Sequence, residues 1–182
     1  MKAKSMRILR AVSLSLALLL LALTPAGAQD LENTLYLELD YGRVTIEMRP
    51  DLAPKHVERI KELVREGFYD GIIFHRVIDD FMAQTGDPTG TGTGGSGQNI
   101  PAEFTEEPFV RGTLGMARAQ NPNSADSQFF INFVETPHLN GQYTVWGQVT
   151  EGMEHVDSIK RGQPPSQPDK IVSIKVAADV DG

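Results

Sequence analysis

The chain has 182 residues, with 24 Asp and Glu against 17 Lys and Arg, and it contains no Cys. A formal charge of −7 leaves no basic footprint for nucleic acid. The absence of thiols removes disulfides, thiolate metal sites and cysteine nucleophiles from consideration.

The first 28 residues read as an export signal. Lys2, Lys4, Arg7 and Arg10 precede an apolar run over residues 11–23, which is too short to span a bilayer comfortably. Pro25 breaks the run, and Ala26-Gly27-Ala28 supplies the small-x-small pattern of a cleavage site. Cleavage after Ala28 is expected. Residues 29–182 then form one domain carrying 13 basic and 24 acidic residues, a formal charge of −11. No Cys follows the small residues and no paired arginines precede them, so the expected route is export of an unfolded chain without a lipid anchor. The expected destination is the periplasm or the medium, with no stable membrane association after cleavage.

Residues 34–40 and 43–48 alternate apolar and polar side chains on either side of Tyr41-Gly42, which predicts two strands joined by a tight turn. Val57, Ile60, Leu63 and Val64 then recur at helical spacing, opposite Lys55, Glu58, Arg59, Lys61, Glu62 and Arg65. Pro54 falls in the first turn of this helix and Gly67 is placed to end it. Residues 72–78 and 81–84 are short β-prone runs around Asp79-Asp80. Further strands are predicted at 112–117, 128–134 and 143–149, separated by loops rich in Gly, Pro and Asn. Met153, Val156 and Ile159 mark a short helix ending at Gly162. The proline-dense stretch 163–168 reads as a surface connector to a last strand over 171–176. About eight strands, two helices and no βαβ alternation predict a mainly β fold: a closed eight-stranded antiparallel barrel capped by two α-helices.

Several chemical signals are weak. Gly90, Gly92 and Gly95 match a dinucleotide-type glycine pattern, but Ser96-Gly97-Gln98-Asn99-Ile100-Pro101 cannot start the helix that phosphate binding needs. A flexible surface loop is expected there. His56, His75, His138 and His155 share no ligand spacing, so neither a metal nor a cofactor is expected. Ser124 and Ser127 lie in no nucleophile context.

Two stretches resist a purely structural reading. One is Phe74-His75-Arg76-Val77-Ile78-Asp79-Asp80-Phe81-Met82-Ala83-Gln84; the other is Gly115-Met116-Ala117-Arg118-Ala119 with Ser127-Gln128-Phe129-Phe130-Ile131-Asn132. Composition alone would assign Phe81, Met82 and Phe130 to a core and Arg76 to a surface ion pair. Together they resemble the two signature regions of the cyclophilin family of peptidyl-prolyl isomerases. Glu103-Phe104, Gly112 to Met116, Leu139-Asn140-Gly141, Val145 to Val149 and Glu151-Gly152-Met153 follow in the family's order.

The resemblance implies an enzyme that accelerates rotation about the bond preceding proline in exported polypeptides and assists their folding. It implies that Arg76 donates to the proline nitrogen of the twisted amide. Gln84 would polarise the substrate carbonyl or steady Arg76. Phe81, Met82, Phe130 and Leu139 would form the apolar pocket for the proline ring. Ala117, Arg118 and Gln128 would line the groove for residues before the proline, with His138 and Tyr143 completing the binding surface. His138 stands where many eukaryotic members carry Trp, Tyr143 where many carry His, and Arg118 where Asn is frequent. Loss of the indole N–H implies weak binding of cyclosporin. A monomer is expected.

Overall fold

A computed structural model describes residues 30–181, so the expected signal and its cleavage point lie outside the described residues. Eight strands form one antiparallel sheet: β1 (Thr34–Leu39), β2 (Gly42–Met48), β3 (Arg76–Ile78), β4 (Met82–Thr85), β5 (Thr113–Met116), β6 (Phe129–Asn132), β7 (Val145–Glu151) and β8 (Ser173–Val176). Their spatial order is β3-β4-β6-β5-β7-β2-β1-β8, and the sheet curls into a half-barrel. Among the described residues no ladder joins the end strands β3 and β8. The expected closure is instead approached by single antiparallel bridges, Val77 to Gly162 and Ile73 to Lys170.

The predicted helices are α1 (Pro54–Arg65) and α2 (Met153–Asp157); a four-residue α3 (Ala178–Asp181) follows β8. Val57, Ile60, Leu63 and Val64 of α1 are buried in one cluster with Leu37, Val44, Ile46, Leu114 and Ile131 of the sheet. Each such side chain contributes about 1.5–3 kcal/mol on burial. Gly67 ends α1 with φ +70°. Its amide donates to the Val64 carbonyl and that of Phe68 to the Leu63 carbonyl, the paired bonds of a Schellman cap.

The N-terminus of α1 is capped from a distance. Ala53 offers no side-chain cap, and the Glu103 carboxylate accepts from the amides of Lys55 at 3.2 Å and His56 at 3.1 Å. It also meets His56 Nδ1 at 2.7 Å. Burial lowers the His56 pKa, against the opposing pull of Glu103; the contact is therefore a hydrogen bond from a neutral ring. Burial pushes the Glu103 carboxyl up, but the His56 ring and the two amides outweigh it and hold it below its ordinary value.

Both shifts act in one direction on acidification. The unfolded chain binds a proton at this histidine first, so that contribution is intact above pH 6.5 and declines below it. The Glu103 contribution is intact above pH 4.5 and lost as pH falls further. Glu103→Ala is expected to lower unfolding free energy at pH 7 by about 2 kcal/mol through the lost cap and hydrogen bonds. Urea titration checks this, and an unchanged midpoint would refute the capping role.

Candidate active site

One transverse row of the sheet builds the site. Arg76 on β3 pairs with Gln84 on β4, Gln84 with Phe130 on β6, and Phe130 with Gly115 on β5. The neighbouring row, Val77, Ala83, Ile131 and Leu114, is at most 1% exposed and belongs to the main core. Because strand side chains alternate, the first row points out of that core. Met82, Phe109, Phe130, Leu139 and Val145 form a second, smaller apolar cluster beneath it.

The hairpin from β3 to β4 turns through Asp80, a non-glycine residue at φ +52°, and carries Phe81 at its tip. Arg76, Phe81, Met82, Gln84, Ala117, Arg118, Phe130, Leu139 and Tyr143 line a cavity of about 110 Å3. That is well below the ~300–1,000 Å3 of cofactor and drug-sized sites, and suits a small ring. Leu139 reaches the cavity on a 3-10 turn, Pro137–Leu139. The Phe130 ring stacks on Phe109 at 5.7 Å and meets Tyr143 edge-on at 5.9 Å.

Arg76 is held by amide oxygens. Its Nη1 donates to Gln84 Oε1 and its Nε to Gln163 Oε1, each at 3.3 Å. Gln84 Nε2 donates to Gln128 Oε1 at 2.9 Å, and Gln128 Nε2 to the carbonyls of Gly92 and Gly94. Arg43, Arg49, Arg59, Arg65, Arg111 and Arg161 each pair with a carboxylate. Among the described residues Arg76 and Arg118 have no such partner, and both line the cavity. Arg118 donates to the carbonyls of Gln142 and Ala119 and lies over the Tyr143 ring at 4.6 Å. Arg76 lies 5.8 Å from the Phe81 ring centre.

Nine of the eleven residues expected at the site line this cavity. Gln128 instead lines an adjoining groove of about 420 Å3 with Gln84, Ala117, Arg118 and Asp126. His138 is exposed and outside the cavity lining, its ring 5.8 Å from that of Phe81. The glycine-rich stretch beside the groove is tied to buried Asp87, which accepts from the amides of Thr89, Gly92 and Gly94 and from the Thr89 hydroxyl. Burial pushes this carboxyl up, but those donors outweigh it and hold its pKa at about 2. Sequence reading missed Asp87 as an anchor, Phe109 beneath Phe130, and Gln163 against Arg76. It treated the stretch containing Gln163 only as a connector. Among the described residues no cluster of three or more His, Cys, Asp or Glu is arranged to hold a metal.

Comparison with known proteins gives one consistent result. Residues 34–176 match the family model described as cyclophilin type peptidyl-prolyl cis-trans isomerase/CLD. A probable peptidyl-prolyl cis-trans isomerase of Brucella suis is 55% identical over 175 residues, covering 87% of this chain and 89% of the relative. Peptidyl-prolyl cis-trans isomerase B of Bacillus subtilis is 43% identical, covering 70% of this chain and 90% of that protein. The crystal structure of a cyclophilin from Hirschia baltica superposes with a TM-score of 0.77 at 30% identity, covering 83% of this chain and 76% of that one. A cyclophilin-type isomerase from Cryptosporidium parvum, crystallised in the presence of the dipeptide Ala-Pro, gives a TM-score of 0.73 at 32% identity and covers 79% and 98%.

The floor of the cavity depends on the smallest residue in the row. A Cβ on Gly115 would lie 2.4 Å from Phe130 Cζ and 2.6 Å from Phe109 Cε1. Gly115→Ala is expected to cost about 1–3 kcal/mol by overpacking and to tilt Phe130 into the cavity. Urea unfolding together with a crystal structure of the variant checks both, and an unmoved Phe130 at full stability would contradict the packing described.

Proposed function

The chain belongs to the cyclophilin-type peptidyl-prolyl cis-trans isomerase family and is an isomerase of that class, and we propose that Arg76 and the adjoining cavity perform the reaction on exported polypeptides. Rotation about a peptide C–N bond must overcome roughly 18–20 kcal/mol of lost resonance. Uncatalysed X–Pro rotation takes tens to hundreds of seconds. No covalent bond is made or broken. The requirement is to bind the twisted amide more strongly than the planar one.

In the twisted amide the proline nitrogen regains its lone pair and accepts a hydrogen bond. Arg76 spends its Nε hydrogen on Gln163 and one Nη1 hydrogen on Gln84, which leaves the second Nη1 hydrogen and both on Nη2 to donate. The single observation carrying this reading is a half-buried guanidinium with no carboxylate partner among the described residues, beside a ring-sized slot walled by Phe81, Met82, Phe130 and Leu139. A carboxylate partner would neutralise the charge that the twisted amide needs. Phe81, Met82, Phe130 and Leu139 would hold the proline ring while the preceding residue turns, which reduces the loss of orientation at the barrier. Gln84 has its oxygen on Arg76 and its amide on Gln128, which favours a steadying role over polarising the substrate carbonyl. Ala117, Arg118 and Gln128 would receive residues before the proline, with Tyr143 as a wall and His138 at the rim beside Phe81.

The amino-terminal 28 residues support export, cleavage after Ala28 and action in the periplasm or medium, where the protein would assist folding as a monomer. Proline-containing polypeptides are the substrates on this reading.

Arg76→Ala is expected to lower kcat/KM on a proline tetrapeptide by on the order of 10²–10³, the effect of removing one oriented donor elsewhere. A protease-coupled isomerisation assay with parallel thermal unfolding checks it. Near-normal activity in the folded variant would refute the donor role.

A further inference from the structure

Arg59 lies on the side of α1 that helical spacing assigns to solvent, yet its side chain is only 12% exposed. One end of the guanidinium pairs with Glu62, one turn further on. Glu62 is itself largely exposed, and an ion pair of that kind contributes little. The other end leaves the helix: Nη2 donates to Ser96 Oγ at 2.9 Å, across 37 residues of sequence. Covering a guanidinium is costly unless its donors are used, so the contact with Ser96 calls for an explanation.

Ser96 passes the contact on. Its hydroxyl donates to Asp126 Oδ1 while accepting from Arg59, which a serine oxygen can do at once. A bridge with an ion at each end is stronger than a neutral one. The Asp126 carboxylate also accepts from the amides of Ser96 and Gly97, each at 2.8 Å. A Cβ on Gly95 would lie 2.5 Å from Asp126 Oδ2, so carboxylate and backbone are in close contact there. Gly94, Gly95 and Asp126 line the groove beside the proline cavity, and none of them lines the cavity itself.

The glycine-rich wall of that groove is thus held by two carboxylates. Buried Asp87 takes the amides of Gly92 and Gly94, and half-buried Asp126 takes those of Ser96 and Gly97. Water reaches Asp126 and competes for its oxygens, which makes the bridge from Arg59 the element that keeps it in place. Gln128 donates to the carbonyls of Gly92 and Gly94, on the half anchored by Asp87. The relay from Gln128 through Gln84 to Arg76 therefore does not need the second clamp.

We propose that Arg59 is a positioning residue: through Ser96 and Asp126 it fixes the wall over residues 94–97 in the shape that receives the chain before the proline. The inference rests on the reading that the groove takes those residues. Arg59 touches no substrate, and the cavity for the proline ring is complete without it. Its loss weakens the hold on a long substrate and leaves the rotation step unchanged.

Exchange NMR with the purified protein compares acetyl-Ala-Pro-Ala-amide with acetyl-Ala-Ala-Ala-Pro-Ala-amide, which differ only before the proline. The unmodified protein is expected to show the lower KM for the longer peptide. Arg59→Leu should raise that KM about three- to tenfold, the size of roughly one hydrogen bond, with kcat unchanged, the pattern of lost uniform binding. The shorter peptide should be turned over as before. Ser96→Ala should reproduce the effect, and the double variant should be no worse than either single one, because both cut the same bridge. An unchanged KM for the longer peptide in Arg59→Leu, an equal loss on both peptides, or additive losses in the double variant would overturn the proposal. Should Arg59→Leu fail to fold, Ser96→Ala leaves α1 intact and decides by the same KM. If the unmodified protein gains nothing from the longer peptide, the groove reading fails and this inference with it; if the gain survives in both variants, this inference alone is removed.

Discussion

The register of four short strands is the constraint on which the rest of this structure depends. Arg76, Gln84, Phe130 and Gly115 share one row across β3, β4, β6 and β5, and Val77, Ala83, Ile131 and Leu114 share the next. A slip of one residue would send the guanidinium into the main core and Val77 into solvent. Burying an unpaired charge costs several kcal/mol after relaxation, and exposing Val77 forfeits about 1.5–3 kcal/mol more. The same hydrophobic pattern that folds the sheet therefore aims Arg76 at the cavity. Fold and site are specified by one alternation.

What the row delivers is a cation with no carboxylate partner among the described residues. Six of the described arginines are paired with carboxylates at the surface, whereas Arg76 is gripped by two amide oxygens. Amide oxygens orient a guanidinium without cancelling its field. One oriented donor is worth about 2.7–4 kcal/mol in comparable sites, a minor share of an 18–20 kcal/mol barrier. On the proposed reading immobilising the proline ring would supply a further share, to which the fully buried Phe109 would contribute. It supports Phe130 from below, and the Phe109 amide is fixed by the Asn140 side chain beside Leu139.

Local pattern made much of this legible from sequence. The helical spacing of Val57, Ile60, Leu63 and Val64 located α1, and the resemblance to the cyclophilin family named nine residues that line one cavity. Long-range partners were not legible, because no local period announces them. Glu103 caps a helix 48 residues away from it in sequence at Lys55, and Gln163 reaches Arg76 across 87 residues. Strand ends shifted for similar reasons. β7 begins at Val145, two residues after the predicted start. Tyr143 is turned to the cavity, while Thr144 accepts from the Glu103 amide with its hydroxyl and from the Met116 amide with its carbonyl. β8 begins at Ser173, because the Ile171 amide is committed to the Ile72 carbonyl. The glycine-rich stretch read as a free loop because Asp87, the residue that organises it, precedes the glycines and is one acidic residue among many.

On the proposed reading Arg76 works because the side chains that hold it, Gln84 and Gln163, are neutral. The sharpest measurement compares Gln84→Glu with Gln84→Leu in an isomer-exchange assay near pH 7.5. Both variants lose the carboxamide relay to Gln128, and only the first sets a carboxylate against the guanidinium. The expected kcat/KM for Gln84→Glu is at least about tenfold below that of Gln84→Leu, or about 1.4 kcal/mol, at similar thermal stability. Equal activity in the two variants would show that neutralising Arg76 does not matter, and would contradict it.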